Sequence, residues 1–299
     1  MAVRRKALIR AMAETILKTR RRYFLYASRQ KLLYLSIPKN ANSFVKAVML
    51  CNDSAAAGFE PANETALQFA KRTGGFGSLE LLNDGPLFDP AVRCLIVIRD
   101  PIGRLVSAYL DKFVKPEIRG IAEKRDPVFD FDLIGFYRDV SRVLGEHVEA
   151  ETFSFRQFIS YVCAVPDYRR DKHYRCQSFY ARVADGLNVD AFDLDGTGDL
   201  AEFLRNRGFS IIPARFKQPV VKRTTYSANQ MTPMTDFSAR ELASQGVLPP
   251  VECLFNQALL DLFARSYKPD IEWYSSVKGS DLSSYLRHWK DRLASGRLG

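Results

Sequence analysis

Short apolar runs alternate along the chain with segments in which apolar residues recur every three or four positions. The runs at 31–37, 92–98 and 189–194 predict strands, and the mostly apolar, β-branched residues of 92–98 are typical of a strand with both faces covered. The periodic segments predict helices from about Ser43, near 64–72, from Pro101 to about Phe113, and over 155–163, 200–207, 251–267 and 280–294. This alternation predicts an α/β fold with three layers, α/β/α, around a mostly parallel central sheet.

Two stretches interrupt this alternation. Residues 52–90 are irregular and rich in Gly, Ala, Asn and Asp, and residues 114–150 are charged and repeatedly broken by Pro and Gly. We expect both stretches to leave the core and to shape a substrate cleft. The domain prediction is therefore an N-terminal arm over residues 1–30, followed by a single domain over residues 31–299.

The positive charge of the chain is concentrated on the arm. The whole chain has 44 Lys and Arg against 34 Asp and Glu, a net charge of +10. Residues 1–31 hold ten of the basic residues and one acid, Glu14, so the rest of the chain has a net charge of only +1. A nucleic-acid-binding protein is expected to spread basic residues over a folded face, so this distribution argues against a nucleic-acid partner.

The arm also has a helical period. Most of its basic residues lie off an apolar stripe formed by Leu8, Ile9, Met12, Ile16 and Leu17. A basic amphipathic helix of this kind can lie on an anionic membrane surface, so residues 1–22 are a candidate peripheral membrane contact. The alternative is a helix that packs its apolar stripe on the domain, and the sequence leaves both readings open.

Cysteine usage and hydropathy predict a cytoplasmic protein. The five cysteines are scattered singly without a Cys-x-x-Cys pair, which is typical of reduced thiols and argues against a structural zinc site. No apolar run approaches the roughly 20 residues that a membrane span requires, and no apolar segment of a secretory signal follows the basic N-terminus. We therefore expect a cytoplasmic location, peripheral on the inner membrane face if the arm binds lipid.

The first segment with candidate chemistry spans residues 33–43, where a strand turns into a helix through Pro38-Lys39-Asn40-Ala41-Asn42-Ser43. Backbone amides at the start of a helix attract anions, and Lys39 and the hydroxyl of Ser43 add a cation and a donor. The segment is not a Walker A loop, because Gly-x-x-x-x-Gly-Lys-Ser/Thr is absent and the lysine precedes the turn. From the residues alone, a strand that ends in a proline turn with a solvated lysine remains the alternative.

The second segment spans residues 95–109 and follows the strand predicted at the centre of the sheet. Arg99 ends that strand, at the edge where open α/β sheets bind ligands, and its planar guanidinium suits bidentate contact with phosphate. We expect Asp100 to cap the following helix and Ser107 to lie about two turns beyond Arg99. For Arg104, a surface pair with an acid of the same helix, such as Asp100, is the alternative to a functional role. Two cation-bearing strand ends predict a site for a ligand with two separated anionic groups, such as a nucleotide with phosphates at both ends of its ribose.

Together the two segments resemble a known enzyme family. Ile-Pro-Lys-x-x-x-Ser followed by Val-Ile-Arg-Asp-Pro-x-x-Arg-Leu-Val-Ser-Ala-Tyr-x-x-Lys-Phe is similar to the carbohydrate sulfotransferases, which include the Golgi chondroitin and dermatan enzymes and bacterial relatives. The first segment departs from many members, because Asn40-Ala41-Asn42 stands where they carry Thr-Gly-Gly or a similar run. Weaker similarity extends to Phe155 and Phe158, His173 and Gln177, residues 189–194, and Phe263, Tyr267, Asp270 and Tyr274.

The resemblance implies a P-loop NTPase-like sulfotransferase fold and 3′-phosphoadenosine 5′-phosphosulfate (PAPS) as the sulfuryl donor. It implies that residues 38–43 form the 5′-phosphosulfate loop, in which Lys39 stabilises the leaving phosphate, and that Arg99 and Ser107 hold the 3′-phosphate. Arg223 is a further candidate for the 3′ side of the donor, or else part of an ordinary basic loop. A sulfuryl group carries less charge than a phosphoryl group, so no metal is expected.

The implied acceptor is a hydroxyl of a saccharide, such as a glycolipid or surface-polysaccharide precursor handled in a bacterial cytoplasm. His173 is the candidate general base, with substrate orientation as its alternative role, and acids of residues 114–150 are rival bases. Four cations near His173 could contact an anionic sugar, although such runs are usually just solvated: Arg169, Arg170, Lys172 and Arg175. The sequence does not indicate an oligomeric state.

Two other classes of function remain as alternatives. A P-loop-like kinase would use ATP and magnesium, but the missing Walker motif disfavours it. A non-catalytic protein that kept the fold would bind the nucleotide, or a membrane surface, without turnover.

Overall fold

The structure is a computed structural model that describes residues 23–81, 83–118, 132–213, 233–245 and 248–295. The chain divides into two compact units, Met1–Arg99 with Phe179–Gln218 and Asp100–Ser178 with Pro219–Gly299. The single domain predicted over residues 31–299 stays a prediction.

The described elements follow one another in the order strand, strand, helices, strand, helices, strand, helices. The strands are β1 (Phe24–Ala27), β2 (Leu32–Leu35), β3 (Arg93–Ile98) and β4 (Val189–Asp193). The helices are α1 (Asn42–Cys51), α2 (Ala66–Thr73), α3 (Gly85–Phe88), α4 (Pro101–Tyr109), α5 (Lys115–Ile118), α6 (Leu133–Leu144), α7 (Phe155–Ala164), α8 (Gln177–Ala181), α9 (Leu200–Asn206), α10 (Ala239–Ser244), α11 (Val251–Leu254), α12 (Gln257–Ser266), α13 (Lys268–Val277) and α14 (Leu282–Ser295).

The four strands belong to the first unit and pair in the order β1-β2-β3-β4. β1 runs antiparallel to β2, whereas β2, β3 and β4 run parallel to one another. The predicted α/β class is confirmed, and the described sheet is mixed, with a parallel part formed by the three predicted strands. The register, with Leu35 opposite Ile96 and Ile98 opposite Asp193, brings the carboxyl ends of these strands to one edge. The three-layer arrangement stays a prediction.

β1 corrects the predicted extent of the arm. Phe24, Leu25 and Ala27 are buried, and the strand pairs with β2 along its whole length. The chain reverses between the two strands in a tight turn, in which the N–H of Lys31 donates to the carbonyl of Ser28 at 3.2 Å. These residues are therefore part of the sheet and not of an arm that reaches residue 30. Residues 1–22, which carry the predicted amphipathic stripe, lie outside the described residues.

One apolar cluster joins the sheet of the first unit to helices α1, α2 and α9. Alternate strand residues contribute to it, including Leu32 and Tyr34 of β2 and Leu95 and Val97 of β3, because residues two apart share one face of a strand. The helices contribute side chains such as Val45 and Val48 of α1, Phe69 of α2 and Leu204 of α9. This packing fixes α1, and therefore also the loop that leads into it from β2.

The second unit is helical within its described residues and has an aromatic core around the end of α4. The ring of Tyr109 lies 5.1–6.0 Å, between centroids, from the rings of Phe113, Phe153, Phe155 and Phe158. The chain then continues through a π-helical turn, Leu110–Val114, into α5, so the helix predicted to end near Phe113 extends further. The aromatic packing anchors the C-terminal end of α4.

The segment predicted as one helix over 251–267 forms two helices, which corrects that prediction. α11 ends at Leu254, Phe255 is extended with a ψ of 146°, and α12 begins after Asn256. The side chain of Asn256 accepts the N–H of Leu259 at 2.9 Å, and this N-cap starts a new helix inside a continuous apolar period. Among the described residues, no helix combines the length and apolar character needed to cross a membrane.

Candidate functional site

The carboxyl ends of the three parallel strands meet at one edge of the sheet, and a charged residue follows each of them. Lys39 follows β2, Arg99 follows β3 and Asp195 follows β4. Nη1 of Arg99 donates to the carbonyl oxygen of Lys39 at 3.4 Å, and Nε of Arg99 lies 3.6 Å from Oδ1 of Asp195. The two strand-end cations of the sequence analysis therefore lie together in the first unit.

The loop between β2 and α1 contains two non-glycine residues in the left-handed conformation. Lys39 has a φ of 72° and Ala41 a φ of 53°. Each such residue costs roughly 1–2 kcal/mol relative to right-handed backbone, so the surrounding structure must hold the loop in this shape. Left-handed residues in a turn are typical of concave loops that direct successive N–H groups toward an anion. The backbone of this loop is therefore suited to bind phosphate or sulfate.

The asparagine side chains of the loop maintain this shape. Asn40 is fully buried, and its Nδ2 donates to the carbonyl oxygen of Val97 on β3 at 2.8 Å. Oδ1 of Asn42 accepts hydrogen bonds from the hydroxyls of Tyr34, at 3.2 Å, and Ser36, at 2.9 Å. In the Asn-Ala-Asn run, both amide side chains are thus bonded within the unit. Asn40 and Asn42 would therefore contact a sulfuryl donor through their backbone N–H groups and not through their side chains.

The start of α1 is compatible with a bound anion. Its first turn, which lies wholly in the described part of the chain, contains no acidic residue, and no described side chain caps it at Ala41. The first N–H groups of a helix have no partner within the helix and carry its positive dipole end. Ser43 is exposed in this first turn, so its hydroxyl is accessible beside those N–H groups. Pro38 and Lys39 are half-buried at the entry to the loop.

Asp195 is the residue at this edge that the sequence analysis missed. The side chain of Arg99 is only 14% exposed, whereas that of Asp195 is 37% exposed. The carboxylate of Asp195 therefore orients the mostly buried guanidinium of Arg99 from the solvent side. An anionic ligand of Arg99 would compete with Asp195 for this guanidinium. Its position two residues beyond the third parallel strand was the available signal, because that strand was predicted.

In the second unit, Asp100 caps α4 as predicted. Its Oδ1 accepts the N–H of Gly103 at 2.7 Å, and Pro101 occupies the first helical position. Oδ2 of the same carboxylate accepts the indole N–H of Trp289, on α14, at 3.1 Å. Ser107 lies half-buried on α4, two residues before Tyr109 of the aromatic core.

Arg104 does not lie at the surface, as the alternative of a surface pair with Asp100 would require. Its side chain is 1% exposed, and it donates to the carbonyl oxygens of Arg175, at 2.6 Å, and Lys172, at 3.3 Å. A buried guanidinium requires acceptors for its N–H groups, and these carbonyls supply two of them. Arg104 therefore ties the helix of the second segment to the loop that carries His173.

His173 is paired with an acid in that loop. Oδ1 of Asp171 lies 2.5 Å from ring Nδ1 of His173 and accepts its backbone N–H at 2.9 Å. Burial raises the pKa of Asp171, but the hydrogen bonds and charge of His173 outweigh burial, so the pKa lies below its ordinary value. The side chain of His173 is 13% exposed, which leaves it limited access to solvent.

A family model described as the sulfotransferase family matches residues 22–185, more than half of the chain. The match includes the loop at 38–43, Arg99, Ser107 and His173. The chain belongs to the sulfotransferase family. No curated protein and no solved structure matches the chain.

Two of the four cations suggested as sugar contacts in this sulfotransferase are used inside the second unit. Arg170 is 3% exposed and donates to the carbonyl oxygens of Val162 and Val165. Its Cζ lies 4.3 Å from the ring centroid of Tyr267. Arg175 donates to the carbonyls of three residues of its own loop: Asp167, Tyr168 and Arg170. Arg169 and Lys172 are exposed and stay candidates for contact with an anionic sugar.

Gln177 and Asp270, which resemble residues of carbohydrate sulfotransferases, are both buried. Asp270 accepts the N–H of Ser178 at 2.8 Å and a hydrogen bond from the side chain of Gln177. Burial raises the pKa of Asp270 to about 6, although the charge of Arg104 and these hydrogen bonds oppose the rise. These residues support the fold around the His173 loop.

The remaining sequence-predicted residues of this sulfotransferase are divided between the units. Lys39 and Arg99 lie in the first unit, Ser107 and His173 lie in the second, and Arg223 falls outside the described residues. Two of the acids in 114–150 that were considered as general bases are paired with other side chains. Oε2 of Glu117 lies 3.7 Å from Nε of Arg240, and Oδ2 of Asp139 accepts the hydroxyl of Tyr161 at 2.7 Å. Within the described ranges, no cluster of three or more His, Cys, Asp or Glu side chains is arranged to hold a metal ion.

Proposed function

We propose that this sulfotransferase moves a sulfuryl group from PAPS to a hydroxyl of a saccharide. The observation that carries the proposal is the pair of cations at the carboxyl ends of β2 and β3, where Arg99 bonds to the backbone of a left-handed loop that presents Lys39. A donor with separate 5′ and 3′ anionic groups suits a site with cations on two neighbouring strand ends and an adjoining helix start.

The reaction is balanced without a redox step or a further reactant. A bond forms between the acceptor oxygen and sulfur while the bond from sulfur to the 5′-phosphate oxygen breaks. The hydroxyl proton passes to a general base, and the products are a sulfate ester and adenosine 3′,5′-bisphosphate. Such transfers resemble phosphoryl transfer, in which positioning and charge stabilisation contribute most of the catalysis.

In the first unit, Lys39 stabilises the charge that develops on the leaving 5′-phosphate oxygen. The backbone N–H groups of residues 40–43 and the hydroxyl of Ser43 hold the 5′ end of the donor. Arg99 anchors the 3′-phosphate, because its fork of N–H groups matches a phosphate better than an ammonium does. Ser107 is the further candidate for the 3′-phosphate that the family resemblance implies.

In the second unit, His173 accepts the proton of the acceptor hydroxyl. Its low exposure and its carboxylate partner favour this role over that of a solvated histidine. Exposed Arg169 and Lys172 in the same loop suit an acceptor that is itself anionic, such as a glycolipid or surface polysaccharide. We place the reaction in the cytoplasm, with residues 1–22 as a contact to the inner membrane face.

The test is transfer of radiolabelled sulfate from PAPS to a panel of glycans, with the wild type, Lys39→Ala and Lys31→Ala. Lys31 is a matched control, because it is also a lysine in the left-handed conformation, with a φ of 45°, but it precedes β2 instead of following it. We expect Lys39→Ala to lower kcat on the order of 100-fold or more and Lys31→Ala to leave it unchanged. Equal activity of both variants would refute the role of Lys39.

The same assay separates the alternatives. A kinase would transfer phosphate from ATP with magnesium and ignore PAPS. A non-catalytic module would bind adenosine 3′,5′-bisphosphate in a calorimetric titration but sulfate no glycan. Family membership and the strand-end cations both favour the sulfotransferase.

A further inference from the structure

The carboxylate of Asp171 constrains the ring of His173 as well as its backbone. One oxygen, Oδ1, accepts the backbone N–H at 2.9 Å and lies 2.5 Å from ring Nδ1. Because the pKa of Asp171 is lowered, the carboxylate is ionised at neutral pH and can only accept hydrogen bonds. The proton of this short contact therefore belongs to Nδ1, and the lone pair of the neutral ring lies on Nε2.

Buried donors hold the backbone around His173 in place. Arg104 donates to the carbonyl oxygens of Lys172 and Arg175, and the hydroxyl of Tyr267 donates to the carbonyl oxygen of Tyr174. Arg104 and Tyr267 are each 1% exposed, so these bonds are shielded from water. Three carbonyls next to or near His173 are thus fixed by two buried side chains. The loop is therefore pre-organised.

His147 shows what the same sequence spacing gives at the surface. Glu149 also lies two residues from a histidine, but the side chains of His147 and Glu149 are 85% and 53% exposed and approach only to 3.5 Å, through Nε2. An exposed pair of this kind is weak and does not fix a ring. The spacing alone therefore does not produce the arrangement at His173; burial and the carbonyl contacts do.

We propose that Asp171 is a positioning residue that fixes the Nδ1–H tautomer of His173 and thereby presents Nε2 as the proton acceptor. This inference rests on the proposed function, since it explains how the general base of that reaction is held in the reactive tautomer. During transfer, the hydroxyl proton passes to Nε2, and Asp171 stays ionised and stabilises the imidazolium. The proton returns to solvent after the products leave.

The first test reads the tautomer directly and needs no acceptor. The chain has three histidines, so in protein with ¹⁵N-labelled histidine the ring signals of His173 are assigned by their loss in His173→Gln. We expect long-range ¹⁵N–¹H correlation, above the pH range of histidine titration, to show His173 with a protonated Nδ1 and an unprotonated Nε2. A protonated Nε2 in the wild type would overturn the inference.

The second test compares Asp171→Asn with Glu272→Gln as its control, because Glu272 is an exposed carboxylate of the second unit that pairs with Lys268 and lies outside the candidate bases. An asparagine can still accept the backbone N–H through Oδ1, so the turn is kept, but it carries no charge to favour a proton on Nδ1 or to stabilise the imidazolium. We expect Asp171→Asn to raise the population of the Nε2–H tautomer and to lower kcat on the order of 100-fold, with the KM for PAPS unchanged. Glu272→Gln is expected to change neither quantity. If Asp171→Asn behaves like Glu272→Gln, Asp171 has only a structural role.

The outcomes for the inference and for the proposed function are separable. If the wild type sulfates a glycan but Asp171→Asn keeps both tautomer and kcat, sulfuryl transfer stands and the positioning role falls. If the wild type has the Nδ1–H tautomer but transfers no sulfate, the proposed function falls while the tautomer assignment stands. A melting curve of Asp171→Asn by circular dichroism shows whether the variant is folded. If the variant does not fold, the NMR spectrum of the wild type still decides which nitrogen of His173 carries the proton.

Discussion

The guanidinium of Arg99 donates a hydrogen bond to the carbonyl oxygen of Lys39 across 3.4 Å. The cation that follows β3 thus supports the backbone of the loop that follows β2, and two segments sixty residues apart form one site. Arg99 consequently has two functions to test, the support of this loop and contact with an anion.

Arg99→Lys is expected to weaken the binding of adenosine 3′,5′-bisphosphate roughly 10- to 100-fold. The variant keeps the positive charge but loses the fork of N–H donors, and a hydrogen bond to a charged group contributes about 1.5–3 kcal/mol. Isothermal titration calorimetry measures the change in Kd. Arg93→Lys is the control, because Arg93 begins the same strand, is paired with Asp190, and is expected to leave Kd unchanged. Equal Kd values for the two variants would contradict the anion role of Arg99.

Ala41→Gly is expected to stabilise the protein by up to about 1 kcal/mol. Ala41 is left-handed, and glycine adopts this conformation without steric cost, although it adds entropy to the unfolded chain. Ala47→Gly, inside helix α1, is expected to lower the free energy of unfolding by about 1 kcal/mol or more. Urea unfolding of both variants measures the difference. A loss of stability in Ala41→Gly as large as that in Ala47→Gly would argue against the left-handed loop.

Arg104→Met is expected to destabilise the second unit by about 3 kcal/mol. The substitution leaves the carbonyls of Lys172 and Arg175 without their buried donor. Hydrogen exchange of the amides of residues 171–175 should also become faster, because the loop loses its attachment to α4. Arg142→Met provides the comparison: this arginine is 60% exposed and pairs with Asp139, and its loss is expected to cost less than about 1 kcal/mol. Unchanged exchange in Arg104→Met would show that the loop is held by other contacts.

We expect Asp270 to make the free energy of unfolding decrease as the pH rises from about 4 to 7. Burial raises its pKa to about 6, so near pH 5 the folded state binds a proton that the unfolded state, with a pKa near 3.8, has already released. The cost is complete above about pH 7 and, from the difference between these pKa values, amounts to about 3 kcal/mol. Asp270→Asn removes this titration. We therefore expect the free energy of unfolding of Asp270→Asn, minus that of the wild type, to increase across this range, as measured by chemical denaturation. A pH-independent difference would show that Asp270 does not titrate there.

The parallel strands and the helices that follow them could be predicted from the sequence, because apolar runs and helical periods record burial directly. β1 could not, because its four residues follow a basic segment with a helical period, and their strand is defined by pairing with β2. The break between α11 and α12 was missed for a related reason: the apolar period runs through Asn256, and only the cap formed by its side chain interrupts the helix.

The candidate site was also predicted only in part. The strand ends located Lys39 and Arg99, because parallel strands bring their carboxyl ends together. The left-handed backbone at Ala41 has no signal in the residue type, since glycine would be the usual choice there. The burial of Arg104 was also invisible, because its acceptors are backbone carbonyls about seventy residues away, and these exist only once the chain is folded.

The carboxylate of Asp100 accepts the N–H of Gly103 and the indole N–H of Trp289, 189 positions along the chain. Asparagine or serine could replace it as a helix cap, but an asparagine amide would turn its own N–H groups toward the indole N–H. The tryptophan therefore favours an acid at position 100, which the cap alone does not require. Among diverging descendants of this chain, we expect the two positions to change together, with a neutral cap tolerated once position 289 has lost its N–H.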